Sequence, residues 1–184
     1  VNSTSEFGPN APVTVLPTLT KAFNPTQIYA GEKSTLTFTI TNGAGNPAQS
    51  GIAFTDALPT NIVVATPPNI VNNCSTAGTV TAVAAGTSIA VSGVGLNSGV
   101  VSCTISIDVT SNVVQTTTQQ TECTNNTVTA PVAWVNANGS ITGITNIING
   151  VVDRCLTVVP KPVLSKAFSP QAIVTNGVST LTFT

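Results

Sequence analysis

Hydrophobic residues in this chain recur at every second position and almost nowhere at helical spacing. The segments "STLTFTITN", "GIAFTDALP", "VVSCTISIDVTS" and "NNTVTAPVAWV" all alternate, and each is bounded by Gly, Pro or Asn. Successive side chains on a strand point to opposite faces, so period two means one dry face and one wet face. Turn-forming stretches such as "NGAGNP" and "NSG" separate the segments, as antiparallel sheets require. The fold class expected is all-β, an immunoglobulin-like antiparallel β-sandwich. The stretch "NANGSITGITNIING" around Ile141 reads equally as a hairpin insertion or a loop.

The chain has 184 residues, 41% of them hydrophobic, enough for one good core or a core plus a fragment. Only 6% are charged, against roughly a quarter in an average soluble protein, so Thr, Ser, Asn and Gly must make up the surface. Pro59, Pro67 and Pro68 break the longest uncharged stretch, leaving no run of the roughly 20 apolar residues a spanning helix needs. With 4% aromatics the girdles of an outer-membrane barrel cannot be built. Five basic and six acidic residues give a net charge of -1, which supplies no basic face for nucleic acid. Histidine is absent, so neither a catalytic triad nor a histidine-containing metal site is expected, and no cofactor and no enzymatic activity are expected.

Four cysteines, Cys74, Cys103, Cys123 and Cys155, show no CxxC spacing. An even count without metal partners reads as disulfides and an oxidising, extracellular or cell-surface setting. Cys103 shares a strand face with Val101, Ile105 and Ile107. The pairing expected is Cys74 with Cys103 and Cys123 with Cys155, one of three possible connectivities. Each closes a loop of about 30 residues, worth roughly 3 to 4 kcal/mol in the chain-entropy model.

The stretch "PTLTKAFNPTQIYAGEKSTLTFT" from Pro17 to Thr39 recurs without gaps as "PVLSKAFSPQAIVTNGVSTLTFT" from Pro162 to Thr184, so Lys21 matches Lys166 at an offset of 145 residues. Upstream of each copy stand the related phrases "VTVLP" at Val13 to Pro17 and "LTVVP" at Leu156 to Pro160. Self-similarity of this kind marks a tandem array. The division expected is the last strand of one repeat or a linker in residues 1-16, a complete sandwich in 17-160, and the first strands of a following repeat, or a donated strand segment, in 161-184.

The "LTKAFNP" opening, "GEKSTLTFTITN", "FTDALP", "SCTISIDVT" and "NNTVTA" together resemble the conserved tandem-repeat domain, of unknown function, of large bacterial and archaeal surface proteins. The resemblance covers most of residues 17-130. It implies an immunoglobulin-like domain in the stalk of an exported protein and no chemistry on substrates.

In "LTKAF" the alternation puts Lys21 on the face of Leu19 and Phe23, and in "GIAFTDALP" it puts Asp56 with Ile52, Phe54 and Leu58. In "NNTVTAPV" it puts Asn126 with Val128 and Ala130; a bulge would exchange Asn126 for Asn125. Buried ionic groups need partners, and these three are expected to find one another. Burial lowers a lysine pKa and raises that of an aspartate, and a neutral amine beside a protonated carboxyl is what attack on a carboxamide requires. The set Lys21, Asp56 and Asn126 resembles the isopeptide triad of adhesin and pilin domains of the collagen-adhesin B type. That resemblance implies an autocatalytic Lys21 to Asn126 bond between the first and last strands. The competing reading is a plain ion pair of Lys21 with Asp56 and an edge-capping Asn126.

The function expected is therefore a non-enzymatic structural module of a cell-surface stalk or fibre, whose partners are neighbouring repeats or identical subunits. Two alternatives stand beside it: an adhesin module contacting a glycan or host protein, and a fibre subunit that assembles by strand exchange. Trp134, which alternates with Val132, and Tyr29 are the only large amphipathic aromatics for a ligand platform, and core packing is the expected role of Trp134.

Overall fold

A computed structural model describes residues 15–115 and 134–184. Asn125, Asn126 and Cys123 lie outside the described residues.

The alternation folds as expected into an all-β sandwich. One sheet is built on β1 (Thr18–Asn24), β3 (Lys33–Thr41) and β9 (Ser102–Thr110), antiparallel neighbours in that order. Short strands extend it: β5 (Val63–Val64) and β6 (Val71–Asn72) both pair with β9, and β12 (Ile148–Asn149) lies parallel to β1. The opposing sheet runs β11 (Ile141–Thr145), β4 (Gln49–Ala57), β8 (Ser88–Leu96), β7 (Thr79–Thr81). Three further ladders complete the described strands. They pair β10 (Val135–Asn136) with β13 (Arg154–Cys155), β14 (Thr157–Val159) with β2 (Gln27–Tyr29), and β15 (Lys166–Ser169) with β16 (Thr180–Phe183).

Burial follows the two-residue period strictly along β1, where Leu19, Lys21 and Phe23 are buried and their neighbours exposed. Leu36, Phe38 and Ile40 of β3 and Ile105, Ile107 and Val109 of β9 join them, facing Ile52, Phe54, Ile89, Val91, Val94 and Leu96 of the other sheet. Phe38 and Phe54 meet between the sheets at a centroid separation of 5.1 Å and an interplanar angle of 57°, a tilted contact that aromatic quadrupoles favour. Cys103 is bonded to Cys74, as expected, and both are buried. Val101 precedes β9 and is exposed, so it does not share the Cys103 face.

The stretch around Ile141 is neither a simple hairpin nor a loop. After a single 3-10 turn at Asn138–Ser140, β11 pairs antiparallel with β4, and β12 then crosses to lie parallel to β1 in the other sheet. Asn146 makes this change of sheet with φ of 54°, and its Nδ2 donates to the carbonyl of Ser50 at 3.0 Å. A short amide side chain is well suited to a left-handed turn.

A glycine permits the close approach of the chain entering β7 to β8. Gly78 has φ of +57°, and a Cβ there would sit 2.2 Å from the carbonyl oxygen of Ser92. Gly78→Ala is expected to cost about 1 to 3 kcal/mol from backbone strain alone, with the clash adding to it. A urea-denaturation midpoint equal to wild type would contradict this.

Candidate functional site

Three buried polar side chains meet between the sheets. Lys21 projects from β1, Asp56 from near the end of β4 in the opposite sheet, and Asn136 from β10; they are 2%, 0% and 0% exposed. Lys21 and Asp56 reach the interior because they take inward positions in alternating strands. Asp56 sits in the β4 register opposite Ile141 on one side and Ile89 on the other, which fixes its depth in the core.

The contacts close into a triangle. The Lys21 Nζ donates to Asp56 Oδ1 at 3.0 Å and to Asn136 Oδ1 at 2.7 Å, while Asn136 Nδ2 donates to Asp56 Oδ2 at 2.6 Å. A third Nζ bond, 3.0 Å to the carbonyl of Ala137, uses the last donor of the amine. The carboxylate thus spans the amine and the amide nitrogen with its two oxygens, and the amine touches the amide oxygen directly.

Burial sets the electrostatics. It pushes the Lys21 amine below the ordinary lysine range, against the opposing attraction of Asp56. It pushes the Asp56 carboxyl above the usual carboxylate range, against the attraction of Lys21 and the hydrogen bond from Asn136. Both shifts favour the pair with its proton moved from nitrogen to oxygen, because neutral groups escape the desolvation penalty. The Asp153 carboxylate raises the Lys21 pKa and the Arg154 guanidinium lowers it, both less strongly than Asp56 acts.

Two of the three residues expected from the sequence, Lys21 and Asp56, do come together. The carboxamide beside them is that of Asn136, where the alternation in "NNTVTAPV" had pointed to Asn126, a residue outside the described region. The pattern held the signal: Val132, Trp134 and Asn136 share one parity, and Trp134 is buried at 1% exposure. Lys166, the repeat equivalent of Lys21, lies on β15 with every residue of that strand exposed. Cys155 is disulfide-bonded; its expected partner Cys123 lies outside the described residues. Among the described residues no group of three or more His, Cys, Asp or Glu forms a candidate metal site, and no helix is long and apolar enough to cross a membrane.

A family model described as a domain of unknown function (DUF7933) matches residues 17–137, and the chain belongs to that family. The match begins at the residue before β1 and ends just past Asn136, so it contains all three residues of the triangle. No curated protein matches the chain.

Proposed function

We propose that this member of the DUF7933 family is a load-bearing repeat module of an exported cell-surface stalk or fibre, in which an isopeptide bond between Lys21 and Asn136 ties β1 to β10. The observation that carries the reading is the closed, solvent-free triangle of amine, carboxyl and carboxamide. An ordinary ion pair would gain little from such depth, since desolvation offsets most of the attraction.

The chemistry follows from the contacts. A proton passes from Lys21 Nζ to Asp56 Oδ1 along their hydrogen bond, leaving a neutral amine. Nζ attacks Cγ of Asn136 and forms the new N–C bond. Asp56, facing Nδ2, delivers its proton to that nitrogen as the Cγ–Nδ2 bond breaks, and ammonia departs. The carboxylate then takes the remaining excess proton from Nζ, so one amine and one carboxamide become one secondary amide and one ammonia. General acid–base transfer of this kind needs the acid within hydrogen-bond reach of both nitrogens, and it is.

The strand arrangement supports a mechanical role. β14 runs parallel to β2, with Thr157 opposite Gln27 and Val159 opposite Tyr29. Pulling the start of β1 away from the end of β14 loads these parallel strands in shear, so their hydrogen bonds must fail together rather than one at a time. The Cys74 to Cys103 disulfide fits an oxidising compartment outside the cytoplasm.

The tandem reading draws support from β15 and β16. Lys166 pairs with Phe183 as Lys21 pairs with Phe38. Ser179 Oγ donates to the Pro170 carbonyl at 2.6 Å as Ser34 Oγ does to Pro25 at 2.6 Å. Phe168, Leu181 and Phe183 are exposed where their counterparts Phe23, Leu36 and Phe38 are buried, as suits a hairpin whose covering sheet belongs to a following repeat. Burial of Trp134 speaks against a glycan platform at that residue.

Digestion and tandem mass spectrometry are expected to yield a branched peptide joining Lys21 to Asn136, and Asp56→Ala is expected to eliminate it. The rate of joining should be bell-shaped in pH. It rises as the pair, doubly protonated in acid, gives up its first proton and can hold a neutral amine, and falls as it gives up the second and the acid is lost. Recovery of both residues in separate, unmodified peptides from folded wild-type protein would refute the crosslink.

A further inference from the structure

Arg154 touches both sides of the reacting pair. On β13 it is the direct cross-strand partner of Asn136, with Val135 opposite Cys155 in the same ladder. Its Nε donates to the main-chain carbonyl of Lys21 at 2.9 Å. Its Nη1 donates to the carbonyl of Asp153 at 3.3 Å, and the Asp153 carboxylate accepts the backbone N–H of Asn138 at 2.8 Å, two residues past Asn136. The pair Asp153 and Arg154 therefore holds the backbone of the nucleophile and the backbone of the electrophile in one frame.

Such a frame matters because β1 and β10 are not neighbours in any ladder; β1 pairs with β3 and β12, and β10 with β13. The lysine side chain has four rotatable methylenes, so the position of its Cα is what limits the approach of Nζ to Cγ. We propose that Arg154 is a positioning residue for the crosslink, setting the distance between the Lys21 main chain and the Asn136 carboxamide. This inference rests on the isopeptide reading above.

Three charged groups act on the Lys21 amine: Asp56 from β4 in direct contact, and Asp153 and Arg154 from the β13 segment through the electrostatic field. Removing the Arg154 cation leaves the two carboxylates unopposed, which favours the protonated amine. Full-length protein would be assembled by chemical ligation at its cysteines under denaturing conditions, where the triangle is not formed, then refolded by dilution into a series of pH values, quenched at intervals and weighed intact. Arg154→Gln is expected to slow ammonia loss on the order of 10- to 100-fold and to move the rising limb of the rate profile to higher pH. Arg154→Lys, which keeps the charge but not the fork, is expected to slow the reaction without that movement.

Wild-type rates in either folded variant, or slowing in Arg154→Gln with an unmoved rising limb, would overturn the proposal while leaving the crosslink intact. A wild-type protein that never loses ammonia would overturn both. Should circular dichroism show Arg154→Gln unfolded, Arg154→Lys decides on its rate alone.

Discussion

Purified wild-type protein is expected to weigh less than its sequence by one ammonia, beyond the loss of hydrogens to disulfides, and Asn136→Ala is expected to restore the sequence mass. The same substitution should lower thermal stability sharply. The bond joins residues 115 apart in sequence, and closing a loop of about this size constrains the unfolded chain by roughly 4 to 5 kcal/mol in the chain-entropy model. For a domain of this length that corresponds to roughly 10 to 20 °C in Tm. Asn136→Ala is the cleaner probe than Lys21→Ala, because it leaves the Lys21 to Asp56 ion pair in place. Removing the lysine strands a buried carboxyl and adds a second penalty. A wild-type mass equal to the sequence mass, with Asn136→Ala melting within a few degrees of it, would leave the triangle as an ion pair with an amide neighbour.

Single-molecule extension is expected to show the second large effect. With disulfides reduced, a chain pulled from both ends of the sandwich unfolds without releasing the segment between Lys21 and Asn136. At about 3.3 to 3.6 Å per extended residue, the 115-residue separation hides roughly 400 Å of contour length. Asn136→Ala should recover that length in full. Equal contour lengths in the two proteins would exclude a covalent tie, whatever their melting temperatures. The experiment also separates the two contributions to mechanical strength: β14 lies outside the closed loop on its C-terminal side and is sheared from β2, inside the loop, in the first event of both proteins.

Much of the site was legible before any coordinates. The inward direction of Lys21 and Asp56 follows from parity on strands long enough to keep the two-residue period, β1 with 7 residues and β4 with 9. Asp56 keeps its inward face even though the pairing of β4 with β8 shifts register between Gln49 and Phe54. The Cys74 to Cys103 bond was legible for the same reason, since Cys103 lies on the inner face of β9. Asn136 was legible only as a continuation of the parity of Val132 and Trp134, because β10 is only two residues long and is followed by a 3-10 turn. So short a strand carries no period of its own.

What the order of residues determined by itself is which side chains face the core, since that depends only on strand geometry within a few residues. What the tertiary structure decided is which inward carboxamide meets the amine. Several asparagines share the required parity, and the choice among them is made by the packing of the sheets that sets Lys21 and Asp56 against Asn136 and by the ladder that seats Asn136 opposite Arg154. The Lys21 and Asp56 contacts reach Asn136 across 115 and 80 residues, and no local pattern encodes them.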